Sequence, residues 1–231
     1  MHKILLFSLL SFLLYSCSNV TGSGNIITQK RAVKEFSSIS ASTGVEVEIR
    51  VGDHFAVEVE ADDNVLEFLV TKVEDHTLKI RTRNVNLMNA HLKVYITAPS
   101  IGEIKASSSA HIEIIEVLKS AEKIKMITSS SATINANVDA PELVLEASSS
   151  SKITIGGRAR IVRAEASSSG EIEAGTLLSE QTKADASSSG IVNVFASIKL
   201  DAHASSSGIV RYKGTAEVNS NTNSSGVVEK D

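Results

Sequence analysis

The stretch "DASSSGIV" (Asp185–Val192) returns as "DAHASSSGIV" (Asp201–Val210), and paler versions occur at five other places. The middle residues of the triplets are Ser108, Ser130, Ser149, Ser168, Ser188, Ser206 and, in the weaker "NSSG", Ser224. They are separated by 22, 19, 19, 20, 18 and 18 residues. A beat of about 20 residues marks stacked supersecondary units. A flexible Ser-rich linker would not keep such a beat, nor carry Ile and Val beside every triplet.

The two-residue alternation of a β-strand sorts each unit into two sets. In phase with the middle serine run small or apolar residues: Ile104, Ala106, Ala110 and Ile112 around Ser108, and Ala184, Ala186, Gly190 and Val192 around Ser188. The other phase carries Lys105, Glu113, Glu146, Lys152, Glu165, Glu171, Asp185 and Arg211. This phase predicts that the middle serine points inward at a narrow edge of the coil, with its two companions in solvent. The expected fold over residues 99–231 is all-β, a parallel β-solenoid of the right-handed β-helix kind with coils of 18–22 residues. Six steps at ~4.8 Å give a length of roughly 30 Å. No six-residue beat of a left-handed hexapeptide helix is present. In the last coil the inward phase reads Val218, Ser220, Thr222, Ser224, Gly226 and Val228, the polar composition a solenoid end needs to face water.

Residues 26–98 are β-rich but less regular. Val45, Val47, Ile49 and Val51 alternate up to a Gly52–Asp53 turn, and Phe55, Val57 and Val59 alternate after it. Asp62–Asn64 are placed to cap a short helical turn over "VLEFLV", and "HTLKIRTR" and "AHLKVYITAP" add two strands. "ASTGVEV" (Ala41–Val47) looks like a shortened copy of the later "ASSSGEIE", and "GSGNII" like a shorter one still. The simplest account begins the solenoid near residue 22 with degenerate coils; a separate β-sandwich over 36–98 is the alternative.

At the N-terminus, Lys3 and the apolar Ile4–Leu14 form a run too short to span a bilayer, so residues 1–16 read as a cleaved signal. "LLYSC" resembles the bacterial lipobox, with Cys17 as the lipidated first residue of the mature chain; Tyr15 is bulkier than is usual there. A plain secretory signal is the other reading. Residues 17–25 would then be a tether. Acyl chains on Cys17 would hold the protein on a membrane at ~0.8 kcal/mol per buried methylene. Cys17 is the only cysteine, so stability must come from core and strand pairing. A formal net charge of −4 offers no basic footprint for nucleic acid.

"GSGNIITQKRAVKEFSSISASTGVEVEIRVG", followed by "HTLKIRTR", "LKVYITAPSIGEIKASSSAHIEI" and the Ser-Gly units, resembles the bacterial family called putative auto-transporter adhesin, head GIN domain. The resemblance runs from about Gly22 to Val228. It implies an exported, often lipid-anchored protein of the Bacteroidota envelope, an outer-membrane lipoprotein, with a β-helical fold and an adhesive role. It carries no catalytic motif onto this chain.

The residues themselves leave three functions open. Serine hydrolysis would need a base, an orienting carboxylate and a strained nucleophile turn such as G-x-S-x-G, which does not occur, and His111 and His203 fall on the solvent phase. A carbohydrate-active β-helix enzyme could use Glu146, Glu165 and Asp185, which stack on consecutive coils, but Arg163 and Lys183 on the same face can neutralise them. A non-enzymatic envelope protein could bind a glycan or surface polymer through the outward serines Ser167, Ser169, Ser187, Ser189, Ser205 and Ser207. A periplasmic module for a lipid or small ligand is the third. Parity leaves Tyr95 as the one exposed tyrosine of the mature chain, too little for an aromatic sugar platform. No motif calls for a metal or cofactor.

Overall fold

A strand with one apolar face cannot bury it alone; here each unit buries its face by lying on its neighbour. In the computed structural model, which describes residues 18–83 and 85–231, all regular elements are strands. The strands stack in parallel from coil to coil, and their register reproduces the serine beat: Met126 opposes Ile104 and Leu145, and Ala164 opposes Leu145 and Ala184. The chain is a parallel β-solenoid.

Each coil has two faces joined by two edges. On the face that leaves the serine edge, one column reads Val94, Val47, Ile112, Ile134, Ile153, Ile172, Val192, Val210 and Val228. β-Branched side chains fill such a pleated column well, and all but the terminal Val228 are buried. The opposite column shrinks along the axis, from Leu78, Ile39, Ile104, Met126 and Leu145 to Ala164, Ala184, Ala202 and finally Ser220. The core therefore tapers toward the C-terminus. Ser220, Thr222 and Ser224 of the last coil are exposed, as a polar end requires.

The serine edge corrects the parity reading. Ser168 and Ser188 are exposed, as are the middle serines of the other triplets, while Ala166, Gly170, Ala186 and Gly190 are buried. The reason is backbone conformation. The second and third residues of every triplet have positive φ, for example 49° at Ser168 and 61° at Ser169. Two successive left-handed residues turn the chain through a tight corner, with Gly170 N–H donating to Ser167 O at 2.8 Å. Alternation assumes extended backbone on both sides of a residue, so it fails at the corner and resumes beyond it. The small residues flanking the corner do mark a narrow edge. A Cβ on Gly170, Gly190 or Gly208 would sit 2.3–2.4 Å from the carbonyl oxygen of Ala147, Ala166 or Ala186 one coil back. The buried inter-coil hydroxyl bond exists too, but at Ser151 and Thr128 (Oγ to Oγ1, 2.8 Å) rather than at the middle serines.

The N-terminal part is continuous with the solenoid, but its coils are out of chain order. Ser38–Ala41 and Glu46–Val51 form one coil, with Thr43 and Gly44 as a positive-φ corner whose Gly44 N–H donates to Ser108 O at 2.8 Å. On one side lies the coil containing Glu103–Ala106 and His111–Lys119; on the other lies the later segment formed by Thr77–Thr82 and Leu92–Ala98. Ala56–Asp62, Ile26–Arg31 and Leu69–Glu74 then cover that end in antiparallel fashion. "GSGNII" is thus part of a cap rather than a coil. Residues 63–68 form successive turns, with no helix. Ser18–Asn25, expected as a tether, is strapped to the body. Ser18–Thr21 pairs with Val85–Met88, Ser23 and Asn25 bind Asp63, and the buried Asp62 accepts from Gly24 N–H at 2.7 Å.

Candidate functional site

Seven serine corners stack along one edge of the solenoid. In the first six, the N–H of the last serine donates to the carbonyl of the middle serine one coil on: Ser109 to Ser130, Ser131 to Ser149, Ser150 to Ser168, Ser169 to Ser188, Ser189 to Ser206 and Ser207 to Ser224, at 2.9–3.1 Å. The corners are therefore locked in one register. Fourteen of the eighteen non-glycine residues with positive φ belong to them. A left-handed residue with a Cβ costs roughly 1–2 kcal/mol, and glycine or asparagine is the usual occupant. Here serine fills every such place. Among the described residues, none of these fourteen hydroxyls bonds to another part of the protein.

The outward serines proposed from the sequence divide accordingly. Ser169, Ser189 and Ser207 are exposed, whereas Ser167, Ser187 and Ser205 are half-buried at the entry to the corner. The exposed partners of the first group are Ser168, Ser188 and Ser206, which parity had assigned to the interior. No residue-type signal could have found them, because serine does not announce a left-handed backbone as glycine or asparagine does.

The acidic column forms in the expected register, Glu146 opposite Glu165 and Glu165 opposite Asp185. Counter-charges occupy it. Lys125 reaches Glu146 at 2.7 Å and Lys183 reaches Asp185 at 3.1 Å, while Arg163 turns to Glu142 at 3.3 Å. The hydrogen bond to Glu146 raises the Lys125 pKa, so that ammonium stays charged. A depression of about 190 Å³ beside Asp185 is lined by Lys183, Asp201, His203 and Asn219, but not by Glu165. Among the described residues, no group of three His, Cys, Asp or Glu is placed to hold a metal ion.

A second carboxylate pair lies on the other face, where alternation showed only a polar phase. The Lys152 ammonium, 2.9 Å away, lowers the Glu171 pKa, while burial raises that of Glu173. Asn193 Nδ2 donates to Glu173 Oε1 at 2.6 Å. His111 and His203 serve neighbouring coils, His111 Nδ1 meeting Thr133 Oγ1 at 2.5 Å and His203 Nδ1 meeting Asn221 O at 3.2 Å. Tyr95 and Tyr212 are both half-buried, and Lys93 Nζ sits 4.9 Å over the Tyr95 ring, so no aromatic platform forms from them. Cys17 lies outside the described residues.

Residues 35–216 match the family described as putative auto-transporter adhesin, head GIN domain. A search of curated proteins gave no match. Among solved structures, the chain is similar to a putative adhesin from Bacteroides fragilis (TM-score 0.85, 20% identity, over 92% of this chain and 100% of that one). It is also similar to two proteins from Parabacteroides distasonis. One is a putative lipid binding protein (TM-score 0.77, 25% identity, 93% and 100% covered), the other a putative adhesin (0.76, 22%, 93% and 100%). With a family match over most of its length, and with coils and corners to go with it, the chain belongs to the putative auto-transporter adhesin, head GIN domain family.

Proposed function

We propose that this chain is a non-enzymatic protein of the cell envelope, anchored through lipid on Cys17, that adheres to a hydroxyl-rich polymer such as a linear glycan along its serine edge. The observation that carries the reading is the set of fourteen exposed serines at positive φ, held one coil apart by a backbone ladder. A fold needing only the corner would be served better by glycine. Serine keeps a donor and acceptor at each position, aimed outward on a rigid frame at ~4.8 Å spacing. Each hydroxyl contributes ~1 kcal/mol or less, and many in register add up without any deep pocket. The paired charges on the acidic column support a solvated face rather than an acid–base site.

Serine-to-glycine changes at Ser149, Ser150, Ser168, Ser169, Ser188 and Ser189 test this, because they remove hydroxyls while suiting the left-handed corners. Pull-down on a panel of insoluble glycans should find a ligand for the wild type, with retention at least about tenfold weaker in the sextuple variant. Its melting temperature should be equal or higher. Equal retention by both proteins, or none by either, would reject the serine edge as the adhesive surface. Anchoring is tested separately by palmitate labelling: Cys17→Ala should abolish the label and release the protein from the membrane fraction.

A further inference from the structure

The edge opposite the serines carries a trough. Coil length changes there: twelve residues separate the core positions Ile172 and Ala184, but only ten separate Val192 and Ala202 one coil on. The longer coil overhangs the shorter, and Leu178 is left 58% exposed. Below it the Phe195 carbonyl accepts from Ser179 Oγ and from Thr182 Oγ1 (2.9 Å), and Ser197 Oγ donates to Ser179 O at 3.0 Å. The buried Ser179 and Thr182 hydroxyls thereby fix the backbone at Phe195. The resulting cavity, about 700 Å³, runs across five coils from Ser120 to Ser197, a length of ~19 Å at one strand spacing per coil. Ala140, Pro141, Ala159, Leu178 and Phe195 give its lining an apolar strip.

Four charges line the trough. Arg158 and Asp139 neutralise each other in a two-pronged contact (2.9 and 2.6 Å). Arg160 and Glu180, on neighbouring coils, are exposed, and neither makes an ion pair within 4.0 Å among the described residues. A long, open groove with an apolar strip and with one free cation and one free anion in its lining matches a single acyl chain ending in a headgroup of both signs. A glycan would leave the apolar strip without a partner. An anionic fatty acid would leave Glu180 unanswered.

We propose that the trough binds a single-chain zwitterionic amphiphile of the lysophosphatidylethanolamine class, with its chain over Pro141, Ala159, Leu178 and Phe195, its phosphate at Arg160 and its ammonium at Glu180. The site stands apart from the serine edge and does not depend on adhesion. The test is photocrosslinking of the full chain in its native membranes. The probe is lysophosphatidylethanolamine with a diazirine in the acyl chain, and adducts are mapped by mass spectrometry. Adducts are expected within residues 139–142, 158–160, 177–180 and 195–197. Leu178→Glu should cut their yield at least tenfold, and Arg160→Gln/Glu180→Gln at least threefold. Unlabelled lysophosphatidylethanolamine should compete at least threefold better than palmitic acid. All three positions are solvent-exposed, so unchanged thermal melts separate lost binding from lost fold. Adducts spread over the surface or gathered at the N-terminal cap, or a yield indifferent to Leu178→Glu, would overturn the site. Equal competition by palmitic acid, or a yield indifferent to the double substitution, would overturn the headgroup assignment.

Discussion

The two edges of the solenoid obey different rules. Across the serine edge, eight residues separate matching core positions in every coil from Ile39–Val47 to Ser220–Val228. Across the other edge the separation runs 14, 11, 11, 12, 10 and 10 residues, from Ile112–Met126 to Val210–Ser220. All the irregularity of the serine beat is therefore absorbed on one side. The serine corner is closed by its own turn and by bonds to the next corner, so an added residue has nowhere to go. The far edge is a variable connection between faces, and variation there makes overhangs and troughs. The constant edge is a periodic surface, the variable one a surface that does not repeat.

The largest effect should come from breaking the constancy. One alanine inserted between Ser168 and Ser169 would shift Ile172 and Ala174 to the outer face of their strand. It should cost at least about 3 kcal/mol in urea unfolding. The same insertion between Ala121 and Glu122, on the longest far-edge connection, should cost less than about 1 kcal/mol. Equal losses would mean that the edges are not distinct in kind.

A smaller contrast uses glycines. Gly190→Ala places a methyl 2.4 Å from Ala166 O and should cost roughly 1–3 kcal/mol. Gly175 faces open space near the far edge, so Gly175→Ala should be neutral or stabilising by up to about 1 kcal/mol. Thermal melts of the two variants would settle it, and a reversed order would refute the close approach of corners.

The smallest effect lies on neither edge. Lys72 and Lys79 hold Glu74 at 2.9 and 2.6 Å and pull its pKa down to about 2 from an ordinary 4.5. The unfolded chain takes a proton near pH 4.5 and the folded one only near 2. This contact's contribution is therefore present above pH 4.5 and is lost as pH falls toward 2. Because Glu74 is solvent-screened, the change should be slight. Glu74→Gln should flatten the acid limb of stability between those values, and an unchanged slope would show that the pair contributes nothing.

The sequence carried the core because a buried column leaves a trace every two residues and every coil. Ile112, Ile134, Ile153 and Ile172 could be aligned from the serine beat alone, and the register of Glu146, Glu165 and Asp185 followed. Corner orientation was not legible. Parity counts residues but not the sign of φ, so it placed Ser168 and Ser188 inside. Nor did alternation reveal which strands are neighbours: Glu46–Val51 and Ala56–Asp62 look like a hairpin around Gly52–Asp53, yet Leu92–Ala98 lies between them. The trough leaves no trace in the alternation for a related reason. Phe195 falls on the phase read as solvent-facing and Leu178 on the inward one, and only a one-residue shift of the alternation between the buried Ala174 and Leu177 turns Leu178 out beside Phe195.

The coil built from Ser38–Ala41 and Glu46–Val51 has both of its neighbours downstream in the chain. Ile39 meets Leu78 and Ile104, at sequence distances of 39 and 65 residues, whereas later coils meet partners about 20 residues away. Closing a 65-residue loop instead of a 20-residue one costs about 1 kcal/mol more entropy. A chain emerging N-terminus first therefore holds its first coil unfinished until residue 106 is available. The regular coils beyond can zip onto one another with short loops, so assembly is favoured from the C-terminal half backward, with the N-terminal cap closing late.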